Sequence, residues 1–316
     1  MTPAFRSTAS RRAQPGFGIV ELMVSLAIGM FLVIGFVAAM MNASANVRSN
    51  ERTSDLQVGG RNALEELRRD IFHAGYRGFT WPDPAAAGLA AVTGDCAAGF
   101  SVNLRQGIWG ANDSNPFSGT CIPAANYAGG DVLVVRRAGL TRATALAANT
   151  LYLRSAYERA QVFLGSAPPA FAETPAEDRP LEVSIYYVSP YSFSSSESPR
   201  IPGLFRITLG PGPQMGVPEL IAPGVETLQL QFGRLATDGT TYYQNANAVS
   251  ASATSITTDP SEWDDVNAVR VWLLVRSLTP EPGNVNSTSY VLGDRTLTVN
   301  DGYRRQVFST TVQVRN

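Results

Sequence analysis

The chain has 316 residues, enough for one large domain or two modest ones. Its hydrophobic content of 44% and mean hydropathy of −0.03 call for a folded body with a core and exclude a disordered chain. The formal net charge of −1 excludes a protein whose main work is coating nucleic acid; all 25 basic residues are arginine, which reads as coding bias of a GC-rich bacterium and not as a binding device.

Residues 1–16 carry Arg6, Arg11 and Arg12 and no acidic residue. An apolar stretch follows from Phe17 to Met41, with Glu21 as its only charge. The uncharged residues 22–41 would make about 30 Å of helix, the thickness of a bilayer's hydrocarbon core. With the arginines ahead of it, the positive-inside rule predicts that residues 1–16 stay cytoplasmic and that the body lies outside. No later segment is long and apolar enough to cross again.

Three readings compete for this segment: a secretory signal peptide with Ala43-Ser44-Ala45 as its small-residue cleavage site, a plain signal anchor, and a prepilin leader. Glu21 separates them. A carboxylate inside an apolar helix costs about 2.5–3.5 kcal/mol on insertion scales, a cost an ordinary signal peptide has no reason to carry. The segment Gly16-Phe17-Gly18-Ile19-Val20-Glu21-Leu22 resembles the processing motif of type IV prepilins. The resemblance implies cleavage between Gly16 and Phe17 by a membrane aspartyl prepilin peptidase, and N-methylation of Phe17. It further implies a pairing of Glu21 with the amino terminus of a neighbouring subunit. An ammonium partner would offset the carboxylate's desolvation and fix the stagger between helices. The leader is longer than the family's commonest short ones, and Gly18 stands where threonine is frequent.

After Met41 the pattern turns polar but stays helical. Leu64, Leu67 and Ile71 recur at helical spacing, Gly60 precedes Leu64 by one turn, and Glu65, Glu66, Arg68, Arg69 and Asp70 take the other face. The spacing predicts one long helix ending near Gly75 or Gly78, kinked or locally melted at Gly59-Gly60. Residues 80–130 are rich in Gly, Pro, Ala and Asn and read as a long surface excursion with little regular structure. They hold both cysteines, Cys96 and Cys121, which with a single histidine cannot make a typical structural zinc site. If the body is exported the two pair as a disulfide, worth roughly 3–4 kcal/mol for a loop of that size; two separate buried thiols are the other reading.

From Asp131 the period becomes two. Strands are predicted at Val132–Val135, Leu181–Tyr187, Leu204–Ile207, Leu228–Phe232, Val269–Val275 and Val307–Val314, separated by turns such as Gly210-Pro211-Gly212-Pro213 and Asp301-Gly302. Pro168–Pro180, Ser192–Pro199 and Asn245–Thr258 read as linkers or loops without marking a second independent domain. The expectation is therefore an α+β fold, a long N-terminal helix followed by an antiparallel sheet. Its parts are a leader (1–16), an apolar transmembrane and assembly helix (17–41), an amphipathic continuation (42–78) and a β-rich periplasmic or extracellular body (79–316).

Four segments of the body resemble PilW, a minor pilin family related to the type II secretion pseudopilin GspJ: Asp70–Gly78, Gly224–Gly233, Val266–Ser277 and Tyr303–Val312. The resemblance implies a low-abundance subunit of an initiation or tip complex of a type IV pilus, supporting pilus assembly and twitching motility. Its partners would be other minor pilins, the major pilin, the prepilin peptidase and a PilY-type adhesin. Its place would be the inner membrane, single-pass with the body periplasmic, and then the pilus at the cell surface. The alternatives are a GspJ-like pseudopilin and, from another class, a membrane-tethered periplasmic enzyme or binding protein.

Chemistry beyond assembly finds little support. His73 lies near the end of the amphipathic helix with no nucleophile pattern, as a packed or helix-capping residue would. Asp259, Glu262, Asp264 and Asp265 flank Trp263 without the spacing of an EF-hand calcium loop and read as a solvated turn. Asn286-Ser287-Thr288 matches a glycosylation sequon, a pattern common by chance. Arg304-Arg305 with Arg270, Arg276 and Arg295 could make a basic face for DNA, but the region after the leader is acidic and no nucleic acid is expected as a partner. No Walker loop, dinucleotide fingerprint or metalloprotease motif is present, so neither catalysis, a cofactor nor a metal is expected.

Overall fold

The computed structural model describes residues 16, 18–85, 92–171, 173–236, 238–249 and 261–314, with only the backbone of Ala45, Ser261 and Glu262. Phe17, the rest of the leader and Asp259 lie outside the described residues. The architecture is α+β, and the chain divides into two compact units, one up to Glu51 and the other from Arg52 onward.

Helix α1 runs from Ile19 to Phe72 without interruption, through Gly59 and Gly60. In the second unit its buried positions are Leu56, Gly60, Ala63, Leu67, Asp70 and Ile71, steps of three and four that place one stripe on the body. The predicted kink at Gly59-Gly60 is replaced by a close approach: a Cβ at Gly60 would overlap the buried Phe308 ring, whereas a Cβ at Gly59 would meet nothing within 4 Å. Helix α1 stops at Phe72, and Gly75 and Gly78 then take positive φ of 76° and 75°, which turn the chain out of the helix.

An eight-stranded sheet takes β1 (Ile108–Ala111), β2 (Val132–Ala138), β3 (Leu151–Ala156), β4 (Arg159–Leu164), β5 (Glu177–Ser189), β6 (Gly203–Gly210), β7 (Gln214–Met215) and β8 (Glu219–Pro223). Every pairing between these strands is antiparallel, and β5 is the hub. Its first residues, Glu177–Pro180, pair with β3, its middle pairs with β2, and its end pairs with β6. A second, four-stranded sheet has the order β10 (Thr241–Gln244), β9 (Val225–Leu235), β11 (Val266–Arg276), β14 (Arg305–Gln313). Its centre is β11, buried as the run of Val, Leu and Ala in its sequence requires. A hairpin of β12 (Ser289–Leu292) and β13 (Arg295–Thr298) interrupts the connection from β11 to β14.

The expected loops are corrected in part. Residues 80–130 were expected to be a surface excursion, but among their described residues Phe100, Leu104, Ile108, Trp109, Phe117 and Ile122 are all buried. Trp109 packs at 5.5–5.7 Å from Phe117 and Phe100, and at 6.1 Å from Trp263, whose ring meets Phe232 of β9 edge-on. Apart from β1 and a short turn at Ala124–Asn126, residues 92–130 are irregular, yet they are part of the core. Pro168–Pro180 is a loop only in part, since Glu177 to Pro180 open β5. Of Asn245–Thr258, Ala246–Val249 form a single helical turn (α2) and residues 250–258 lie outside the described residues. Ser261–Asp264 form another short turn, α3.

Candidate functional site

The first half of α1 carries an extensive exposed apolar surface. Ile19, Leu22, Met23, Leu26, Met30 and Phe31 are 58–82% exposed, and large apolar neighbours as far as Met41 are exposed with them. Each large apolar side chain left in water forgoes about 1.5–3 kcal/mol, so a surface of this extent marks a segment that works in lipid or against other helices. By length and composition the helix can cross a membrane. Helix α1 begins at Ile19, inside the predicted processing motif: Gly16 and Gly18 are non-helical, and the Leu22 N–H donates to the Gly18 carbonyl at 3.1 Å. Glu21 therefore sits in the first turn, where the helix's unpaired N–H groups favour a negative charge. Among the described residues no side chain pairs with its carboxylate; the Ser25 hydroxyl donates to the Glu21 backbone carbonyl at 2.7 Å instead.

The second half of α1 is tied to the body by charge as well as by packing. Tyr186 of β5 donates its hydroxyl to Asp70 at 2.6 Å, and Arg137 of β2 lies 3.5 Å from the same carboxylate and 2.6 Å from Glu182. Arg206 of β6 bridges Glu66 of the helix at 2.5 Å and Glu219 of β8 at 2.9 Å. Burial, then the Asp70 charge, drives the Tyr186 hydroxyl well above the ordinary tyrosine range, so it stays a donor. Sequence reasoning placed Asp70 and Glu66 on the solvent face. The misreading has a physical cause: their partners Arg137, Tyr186 and Arg206 lie far along the chain, and no local period reveals them.

Cys96 and Cys121 form a disulfide with Cα atoms 4.9 Å apart, as the export reading expected. It closes the loop that carries Phe100, Trp109 and Phe117 into the core. Within the same core lies a fully buried arginine that sequence reasoning did not single out. Arg136 donates to the Gln106 carbonyl at 2.7 Å and stacks 3.9 Å over Phe100, and burial pulls its guanidinium down to about 9 against the opposing Asp95 charge.

The two sheets are stapled by Asp131. Its N–H donates to Leu228, and its carboxylate accepts N–H bonds from Asp113 at 2.9 Å and Leu230 at 2.6 Å. Burial holds this carboxyl up at about 7, those N–H bonds opposing and Asp113 and Asp294 adding to the rise.

Other residues singled out in the sequence have structural employment. His73 places Nδ1 2.9 Å from the Arg69 carbonyl at the helix end. Asp265 pairs with Arg234 at 3.1 Å and Asp264 lies 3.8 Å from Arg77, and among the described residues no acidic or histidine cluster gathers to hold a metal. The arginines of the supposed basic face are each engaged. Arg305 and Arg276 share Glu226, Arg304 pairs with Glu281, Arg295 pairs with Asp113, and Arg270 stacks 3.6 Å over Tyr243. The Asn286 amide of the sequon donates to Tyr290 and to the Tyr303 carbonyl.

These features define a helix-tailed α+β protein with a disulfide-closed β body and a tail apolar enough to cross a membrane. Residues 185–316, from the middle of β5 through β14, match the model of the PilW family, Type IV Pilus-assembly protein W. Among solved structures, a type IV-like pilin from Thermus thermophilus aligns at 15% identity with a TM-score of 0.36, covering 83% of this chain and 94% of the pilin. No curated protein matches at the level of sequence.

Proposed function

We propose that the chain is a minor pilin of the PilW type, a subunit of the initiation or tip complex of a type IV pilus. The PilW match over residues 185–316 carries the reading, and the exposed apolar half of α1 supplies the surface such a subunit needs. In this reading the precursor is cut between Gly16 and Phe17 and Phe17 is N-methylated. The helix holds the subunit in the inner membrane with the body periplasmic until it enters the assembly with other minor pilins, the major pilin and a PilY-type adhesin. Glu21, which has no side-chain partner among the described residues, meets the amino terminus of a neighbouring subunit. The role is structural, not enzymatic.

N-terminal sequencing of the mature protein tests the cut: it should begin at Phe17, and a start at Asn46 would sink the reading in favour of a cleaved signal peptide. Glu21→Ala should leave cleavage largely intact and lower incorporation into pili about tenfold, as loss of one paired charge in a low-dielectric bundle implies. Unchanged incorporation would refute the pairing. Deletion of the gene should remove surface pili; loss of enzyme secretion with pili intact would make the chain a pseudopilin.

A further inference from the structure

Beyond the end of α1 a cleft of about 920 Å³ opens in the second unit, lined by Tyr76, Arg77, Trp81, Asp83 and Asp264 among others. Its volume lies at the upper end of small-molecule sites, about 300–1,000 Å³. Trp81 stands 78% exposed at its rim, although a tryptophan indole is among the most costly side chains to leave in water. The exposure is not that of a loose end. Trp81 lies in Trp81-Pro82-Asp83-Pro84, whose prolines stiffen the backbone. On one side Thr80 is buried and the Phe79 N–H donates to Ser155 at 3.3 Å. On the other, Ala85 exchanges backbone bonds with Ala160 and Val162 of β4 at 2.9 and 2.8 Å. An apolar face held out to solvent by a strap fixed at both ends is preorganised to be covered.

The polar wall next to it is made of paired charges. Arg77 contacts Asp83 at 2.9 Å and lies 3.8 Å from Asp264, and Arg105 contacts Asp83 at 2.8 Å. Of these charges the lining itself carries Arg77, Asp83 and Asp264, so a free anion would meet two carboxylates, while both carboxylates already lie against arginine, Asp83 against Arg77 and Arg105 and Asp264 against Arg77. What remains is an array of strong donors and acceptors side by side, the complement of vicinal hydroxyls, each of which donates and accepts. The Thr80 hydroxyl, buried in the same lining, has no hydrogen-bond partner among the described residues and adds a further polar group.

We propose that this cleft is a binding site for a neutral carbohydrate, a short oligosaccharide whose C–H face stacks on Trp81 while its hydroxyls bond the Arg77–Asp83–Asp264 wall. The site does not depend on the pilin reading, since it stands on side chains of the second unit alone.

The test uses the full chain in a detergent without a sugar headgroup, titrated with cellotriose, maltotriose and tri-N-acetylchitotriose and followed by calorimetry and tryptophan fluorescence. At least one trisaccharide should bind with a Kd of about 1 mM or tighter. Trp81→Ala should weaken that binding about tenfold or more, and Trp81→Phe, which keeps a flat apolar face, by about threefold at most. Both substitutions fall on an exposed side chain, so unchanged thermal melting should accompany them. No saturation by any of the three up to about 10 mM overturns the proposal. So does equal affinity of the native chain and Trp81→Ala, or equal loss in Trp81→Ala and Trp81→Phe.

Discussion

Gly59 and Gly60 are chemically identical neighbours with opposite reasons for being glycine. In a helix interior, glycine is about 1 kcal/mol less favourable than alanine, so propensity alone favours replacing either. At Gly59 nothing stands within 4 Å of the added methyl. Gly59→Ala should therefore stabilise by up to about 1 kcal/mol. At Gly60 the methyl would overlap the Phe308 ring, which is 8% exposed and held in β14. Gly60→Ala should cost about 1–3 kcal/mol through overpacking, despite the better helix propensity. Urea midpoints of the two variants, measured side by side, check the pair; stabilisation by both would mean that helix and sheet do not touch at Gly60. The sequence offered the two glycines as one breaker because the partner that distinguishes them lies far along the chain, in the last strand.

At the scale of elements, legibility followed periodicity. The strands β2, β5, β6, β9, β11 and β14 could be read because their alternation or apolar runs are long. Strand β3 was missed: it is buried at nearly every position, so Leu151-Tyr152-Leu153 shows no alternation, and it pairs with Glu177–Pro180, whose proline argued for a linker. Pro180 is tolerated because the bond asked of it uses its carbonyl, which accepts from the Gly139 N–H at 2.7 Å. The apolar half of α1 was legible because its signal, an unbroken apolar run, is local. The Asp70–Tyr186–Arg137 and Asp131 clusters were not, since each joins segments brought together only by the fold. The disulfide segment lies between these cases: its irregularity was evident, and its burial was hidden by the absence of any period. Because the bridge closes a loop that inserts Phe100, Trp109 and Phe117 into the core, its loss should reach beyond that loop. Replacing Cys96 and Cys121 together by serine should cost roughly 3–4 kcal/mol and loosen the aromatic cluster, seen as a lower urea midpoint and a weaker near-ultraviolet signal from Trp109. An unchanged midpoint would show that the core holds the segment without the bridge.

For the whole molecule, pH acts through carboxyls displaced in opposite directions. Burial holds Asp131 at about 7, with Asp113 and Asp294 reinforcing it, and holds Asp264 at about 6, where Arg77 pulls down and Asp83 pushes up. In the unfolded chain both return to the ordinary aspartate value near 4. Between about pH 4 and pH 7 the folded chain therefore binds more protons than the unfolded one, and stability rises as pH falls through that window. Conversely, the contribution is complete below the unfolded value and is lost as pH rises through about 6 and then 7. Other carboxyls run the other way. Burial raises Glu177, but Arg179 and Arg142 overcome it and hold the group below its ordinary value; Arg305 does the same for Asp301. Their contribution is present above the ordinary carboxylate range and disappears as pH falls through it. The two sets together place maximal stability near pH 5, on the acid side of neutrality. Thermal melting of the full chain in detergent should rise from pH 7.5 to about 5.5 and fall again below about 4. Asp131→Asn should be less stable at every pH, because its amide cannot accept both the Asp113 and the Leu230 N–H bonds, and its rise toward acid should be shallower. A melting temperature that falls steadily from pH 7.5 to 5.5 in the native chain would refute the buried, protonated state of Asp131, and with it the view that the staple between the two sheets sets the acid side of the stability curve.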